Sequence, residues 1–417
     1  MPAVDEMLAL EAVEDSSILT ACVSLACVLL IVFVAARGAV GATASDFGFH
    51  ETFGCYRIAG DAEDANANVD AAGGRIDVDA ALRKAHGYAA PVVLPGGGAV
   101  VSRERRRLDA AVVCLPGLGR CADDFDLVEA WEARGLEPVF VDFRRYGRAF
   151  RLGTDARYNY TADLREYGRD VGEALAHGAA LGYASFVLCG LSTGGLALMD
   201  FATGLGDAGL RELGVRALVF CSPACRMNAV SVPRPVDDVV LALCRCLRAA
   251  LPRAYDALGA NVVLARDAAL GDDPHSADGA SWIDKVMAER GRTYDRYLNP
   301  TRGKPTWLGY VVAMLEAQRR LKARAAGAAF AKLRTPALCF TPRWDASSKD
   351  RPPGPVEPGT TTDEHIDVDE VEQVFASLFD AATSTFARLD CQHEVLASDW
   401  PVVAAVLDAT KAAFDAT

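Results

Sequence analysis

From about residue 92 onward the chain alternates short apolar runs with longer stretches of helical periodicity. Residues 92–101 read as an early hairpin, and 110–115 as a buried strand running into the turn Pro116-Gly117-Leu118-Gly119. A helical stretch at 124–134 precedes an apolar run at 138–143, and a longer helical pattern over 161–181 leads into another at 184–189. The run at 215–221 closes on Ser222-Pro223. Continuous apolar runs bounded by turn residues and separated by helices predict a mostly parallel sheet covered on both faces. The alternation lapses between Pro223 and about Arg334, a region of mainly helical character. An insertion of that length after the fourth core strand counted from Ala110 predicts a cap over a site. The strand pattern resumes at 336–341 and again at 383–389, before a terminal helix at 398–413. Residues 346–366, rich in Pro, Asp, Gly and Thr, read as a flexible loop.

The front of the chain differs. Residues 18–36 carry no charge and are long enough as a helix to cross a bilayer. The segment before them holds Asp5, Glu6, Glu11, Glu14 and Asp15 but no Lys or Arg, whereas a secretory signal begins with positive charge. That favours a single retained N-terminal membrane anchor, and Arg37 just beyond it puts the following domain on the cytoplasmic side. Ala42-Thr43-Ala44 supports the alternative of a cleaved signal and a secreted or lumenal protein. The expected organisation is therefore an acidic segment with anchor or signal over 1–44 and an extension over 45–90, whose residues 61–74 read as a loose loop or linker. A core follows over 91–222, then a helical cap over 223–334 and the second part of the core over 335–417.

Composition narrows the class. With 417 residues, 51% of them hydrophobic, the chain can bury a large core. A net charge of -13 argues against a nucleic-acid partner, because phosphate binding needs a basic face. The basic run 103–107 reads as a solvated strand edge and loop; a second lies at 144–151. Of the 12 cysteines, Cys22 and Cys27 fall in the apolar stretch, and Cys114, Cys189, Cys221 and Cys339 lie in or at the ends of predicted core strands, which suits a reduced protein. Cys221 and Cys225, or Cys244 and Cys246, lack the paired spacing and nearby histidines of a zinc site. No metal or organic cofactor is expected.

Candidate chemistry centres on Gly190-Leu191-Ser192-Thr193-Gly194, a G-x-S-x-G sequence between a predicted strand and a helix-forming stretch. A serine on a tight strand-to-helix turn has a strained backbone and an exposed hydroxyl, and glycines two residues away on each side relieve the clashes. Its hydroxyl needs a histidine to take its proton and a carboxylate to orient that histidine. Of the 6 histidines, His50 precedes the core, His86 and His177 have helical or loop surroundings, His275 falls in the cap and His365 in the acidic insertion. His393 alone directly follows a late strand and precedes a helix, which makes it the expected base. Asp345 lies just past the strand at 337–341, at the sheet edge where catalytic groups gather, and is the best acid; Asp350, Asp363 and Asp367 remain open. The order Ser192, Asp345, His393 suits such a triad on an α/β sheet. Developing negative charge on the substrate oxygen needs aimed donors, which the backbone N–H groups of Thr193 and Leu118 can supply.

These residues carry a resemblance over about 90–415 to the lysophospholipase and monoacylglycerol lipase branch of the α/β-hydrolase fold. The Gly190–Gly194 elbow, Asp345, and Gln392-His393-Glu394-Val395-Leu396 resemble its motifs. Val141-Asp142-Phe143-Arg144-Arg145-Tyr146-Gly147-Arg148-Ala149 looks like its D-x-R-G-x-G-x-S loop, with Arg145 where the family has glycine and Ala149 where it has serine. Gly303-Lys304-Pro305-Thr306-Trp307 is similar to a Gly-Pro-Thr-Trp segment of bacterial relatives. Pro116-Gly117 stands where the family's oxyanion loop begins His-Gly, and the spacing from Asp345 to His393 exceeds the family's. The resemblance implies an α/β-hydrolase fold with a helical cap inserted after a core strand, a Ser192–Asp345–His393 triad, and an oxyanion hole from Leu118 and Thr193. It implies a serine esterase acting on a small lipid-like ester, a lysophospholipid or monoacylglycerol, through an acyl-serine intermediate. An acyltransferase or thioesterase would use the same residues, and a silent, membrane-tethered lipid-binding protein of this fold is the rival from another class.

Overall fold

A computed structural model of the protein describes residues 78–121, 127–153, 157–226, 234–253, 255–256, 263–266, 305–327, 330–345, 348, 362–363 and 365–417. The apolar stretch 18–36, the linker 61–74, His50, His275, Gly303, Lys304 and Asp350 lie outside the described residues.

In chain order the described elements are α1 (Val78–His86), β1 (Val92–Val93), β2 (Ala99–Val101), β3 (Ala110–Leu115), α2 (Val128–Glu132), β4 (Glu137–Asp142), α3 (Gly147–Leu152), α4 (Arg165–Ala180), β5 (Ser185–Leu191), α5 (Thr193–Glu212), β6 (Val215–Cys221) and α6 (Arg234–Ala250). They continue with β7 (Val263–Arg266), β8 (Pro305–Trp307), α7 (Leu308–Ala326), β9 (Ala337–Pro342), β10 (Trp344–Asp345), β11 (Thr362–Asp363), α8 (Val368–Leu378), β12 (Ser384–Leu389) and α9 (Trp400–Asp415). Eight strands form one sheet in the order β1-β2-β4-β3-β5-β6-β9-β12. The two contacts made by β2 are antiparallel and every other pairing in the sheet is parallel.

Side chains on the central strands alternate between two apolar layers, as a pleated strand buried on both faces requires. Ala111, Val113 and Leu115 of β3 join α4, α5, α7 and α8 on one face, while Ala110, Val112 and Cys114 meet α2 and α9 on the other. Cys189 and Cys221 share the second layer and Cys339 the first, so these thiols pack as small apolar groups. This is the expected α/β-hydrolase sheet.

Three local readings need revision. The insertion after β6 is not helical throughout, because β7 and β8 pair antiparallel, with Trp307 buried and its indole N–H donating to the Tyr158 carbonyl at 2.6 Å. The basic run 103–107 is not uniformly solvated: Arg103 is buried between Glu132 and Glu137, which neutralise it. The stretch 346–366 is not wholly a loop, since Thr362–Asp363 returns to pair in parallel with Trp344–Asp345. Among the described residues no helix is long and apolar enough to cross a membrane.

Candidate active site

Strand β5 ends at Leu191, and α5 begins at Thr193, so Ser192 alone makes the turn. Its φ of 49° and ψ of -113° put a non-glycine residue in strained backbone. The flanking glycines are required by close approach. A Cβ at Gly190 would lie 2.8 Å from the Gly194 carbonyl oxygen, and one at Gly194 would lie 2.5 Å from that of Pro116. Backbone hydrogen bonds hold the turn: Ser192 N–H donates to Cys221 at 2.9 Å, and the Ser192 carbonyl accepts from Leu196 at 3.0 Å and Ala224 at 2.9 Å. Ser192 therefore sits on a strained strand-to-helix turn of the kind that the G-x-S-x-G sequence predicts.

His393 lies in the loop after β12. Pairing of β9 with β12 extends past Pro342 through a bond from Arg343 N–H to the Leu389 carbonyl and an ion pair between Arg343 and Asp390. Gln392 N–H donates to Ser398 Oγ at 3.0 Å, closing the loop that contains His393. The carboxylate that meets this histidine is Asp363, whose Oδ2 is 2.7 Å from His393 Nδ1. With Nδ1 so engaged, Nε2 is the ring nitrogen that does not face Asp363.

Asp345, the acid expected from sequence, is buried but turned elsewhere: its Oδ2 accepts the Val368 N–H at 2.9 Å. The physical reason is the return of the chain after residue 361. Parallel pairing of β10 with β11 sets Asp363 beside Asp345 in register, and the neighbour rather than the strand-end residue reaches the imidazole. Asp367, also left open, caps α8 by accepting from Glu370 N–H at 2.9 Å. Asp363 Oδ1 accepts the N–H groups of His365 at 2.8 Å and Ile366 at 3.0 Å. Burial pushes the Asp363 carboxyl upward, but the charge and hydrogen bond of His393, with His365 beside it, outweigh burial and hold it below the usual carboxylate range.

The Pro116–Gly119 turn packs against the elbow; a Cβ at Gly117 would lie 3.5 Å from Ser192 Cβ. Gly119 adopts a φ of 63°, and its carbonyl accepts the Tyr158 hydroxyl at 2.8 Å, which pins the loop carrying Leu118. Arg120 at the end of that loop forms a 2.6 Å ion pair with Glu394, next to His393. A cleft of about 40 Å³ lies between the two loops, lined in part by Pro116, Gly117, Arg120, Glu394 and Leu396. Thr193 Oγ1 lies 2.8 Å from the Tyr310 hydroxyl on α7, so a helix within the insertion contacts the residue following Ser192. Burial pushes the Tyr310 phenol up to about 12, which keeps that hydroxyl neutral at ordinary pH.

The Alpha/beta hydrolase family model matches residues 112–406, most of the chain. The chain belongs to this family. No curated protein matches the sequence. Among solved structures, the chain is similar to monoacylglycerol lipase of Paleococcus ferrophilus at 14% identity, over 79% of this chain and 100% of that one, with a TM-score of 0.47. It is also similar to a soluble variant of monoglyceride lipase from Saccharomyces cerevisiae at 15% identity, over 77% and 92% of the two chains, with a TM-score of 0.49. The esterase RhEst1 from Rhodococcus sp. ECU1013 follows at 17% identity, over 78% and 98%, with a TM-score of 0.41.

Within this alpha/beta hydrolase, four residues around the candidate site escape sequence reasoning. His365, which the sequence relegates to the acidic insertion, sits T-shaped against His393 with ring centroids 4.9 Å apart. Arg120 and Glu394 carry no pairing signal at a separation of hundreds of residues, and Tyr310 looks like any aromatic on a helix. Arg145, where the resembled family has glycine, does adopt a φ of 66°; its guanidinium donates to the Tyr160 carbonyl at 2.9 Å and lies over that ring, interactions that a glycine could not make.

Proposed function

We propose that this alpha/beta hydrolase is a serine esterase that cleaves carboxylic esters of lipid-like substrates, lysophospholipids or monoacylglycerols, through an acyl-serine intermediate. The observation that carries the proposal is the 2.7 Å contact of His393 Nδ1 with a buried carboxylate, on a family member whose Ser192 occupies a strained strand-to-helix turn. In this reading Ser192 Oγ attacks the ester carbonyl carbon while His393 Nε2 takes its proton. Asp363 holds the imidazole in the required tautomer and stabilises the imidazolium. The N–H groups of Leu118 and Thr193 receive the negative charge that develops on the carbonyl oxygen. Collapse of the tetrahedral species breaks the ester C–O bond, and His393 returns the proton to the departing alcohol. Water then attacks the acyl-serine with the same base, which releases the acid and restores the Ser192 hydroxyl. The lipid-like substrate class rests on the sequence resemblance, and the apolar stretch 18–36 is assigned the role of membrane anchor on its length and lack of charge.

Fluorophosphonate labelling of the full chain, followed by an ester panel of glycerides, lysophospholipids and thioesters, tests the chemistry. Wild type is expected to label. Ser192→Ala should abolish labelling, and His393→Ala and Asp363→Asn should lower it by at least about a thousandfold in rate. Equal labelling of Ser192→Ala, or full activity in Asp363→Asn, would remove the assignment.

A further inference from the structure

Asp345 is buried at 1% exposure, stands in register with the acid on the adjacent strand, and takes no part in the proton relay described above. Its backbone fixes one end of the acid's loop, because the two-residue ladder pairs Trp344 with Thr362 and Asp345 with Asp363. Its carboxylate fixes the other end. Oδ2 accepts the N–H of Val368, the first residue of α8, at 2.9 Å. That N–H is among the donors at a helix start that lack an intrahelical partner, and a buried carboxylate is costly unless such donors face it. Asp367 already spends its own side chain on Glu370 N–H, so it does not satisfy the Val368 donor. Between the two anchors run only residues 363–367, from which Asp363 presents Oδ2 to His393.

We propose that Asp345 is a positioning residue for the acid: it clamps the 363–367 loop at both ends and so keeps Asp363 Oδ2 on His393 Nδ1. The inference rests on reading His393 and Asp363 as base and acid. A further brace, from Asp367 N–H to the Arg226 carbonyl at 3.1 Å, ties the loop to the segment after β6. Misplacement of a catalytic group by about 1 Å costs on the order of a hundredfold in rate, so a small slip of this loop is enough to matter.

The test uses the full chain with Asp345→Asn, Asp345→Ala and Val368→Pro. Asparagine keeps a side-chain oxygen to accept the Val368 N–H. Proline at Val368 removes the donor instead, at the first helical position where proline is tolerated, and Asp367 already has the extended backbone (φ -89°, ψ 101°) that a following proline demands. Two readouts are taken: the downfield proton resonance of His393 Nδ1–H against Asp363, which reports the contact whether or not any ester turns over, and kcat and KM on a p-nitrophenyl ester. Asp345→Asn should keep the resonance and stay within about threefold of wild-type kcat. Asp345→Ala and Val368→Pro should lose or broaden the resonance and lower kcat by about tenfold to a hundredfold with KM little changed. Their combination should fall no further than either alone, since both remove one hydrogen bond. Retention of both resonance and kcat in Val368→Pro overturns the proposal, as does an Asp345→Asn variant that loses the resonance; these two variants decide the matter even where Asp345→Ala does not fold. A wild type that shows the resonance but cleaves no ester leaves the clamp standing and removes the esterase reading, whereas a wild type without the resonance removes the clamp.

Discussion

At the scale of single residues, burial and charge pull Asp363 in opposite directions, and charge wins. Its carboxyl titrates lower in the folded protein than in the unfolded chain, so the ionised form favours folding. That contribution is fully present above the ordinary carboxylate value of about 3.9 and fades as pH falls through the lower, folded value. Asp363→Asn should therefore flatten the stability curve below about pH 4, an effect read from urea midpoints of both proteins across the acid range. A curve as steep in the variant as in wild type would mean that other carboxylates carry the acid sensitivity. Ser192 and its glycines are legible from sequence because their geometry is local: every clash they avoid lies within the turn or against the strand beside it. Asp363 is legible only as one of several open alternatives. Counting from a strand end finds Asp345, and nothing in the intervening sequence reports that the chain comes back to pair with it.

At the scale of elements, the central strands β3, β4, β5, β6 and β9 match the apolar runs closely, because strands buried on both faces must be mostly apolar. Short elements escape: β7 and β8 are only four and three residues long and lie about forty residues apart, and the two-residue β10–β11 ladder has none of the alternation that identifies a strand. The link between the loops carrying Leu118 and His393 belongs to this scale too. Arg120 and Glu394 are each only 14% exposed, so their ion pair is screened less than a surface pair. Arg120→Gln and Glu394→Gln should each lower kcat by about threefold to tenfold, and a double-mutant cycle should show a coupling of at least about 0.5 kcal/mol. Additive losses would show that the two loops are held independently. Arg120 is invisible as a site residue in sequence for the ordinary reason that long-range ion pairs leave no periodic signal.

For the molecule as a whole, family membership and the eight-stranded sheet agree with the architecture expected from the alternation of strands and helices. Parallel strands bring the turn after β5 and the loops after β9 and β12 to one edge, which is why residues far apart in sequence share a site. The proposed anchor makes its own prediction at this scale. Full-length protein should sediment with vesicles of neutral phospholipid and remain there in high salt, while a chain starting at residue 45 should stay in the supernatant. Equal behaviour of the two would assign the stretch 18–36 another role.

The β10–β11 ladder has a further consequence for how this protein can diverge. Pairing of Asp345 with Asp363 sets where the proposed acid stands, and lengthening the chain between two such fixed points costs only about 0.6 kcal/mol of loop-closure entropy for each doubling. If Asp363 is the acid, the number of residues between the two paired positions can change without moving it. Homologues can be expected to differ most in length there while the carboxylate keeps its place, and an alignment anchored on the distance from strand to acid will pair the wrong aspartates.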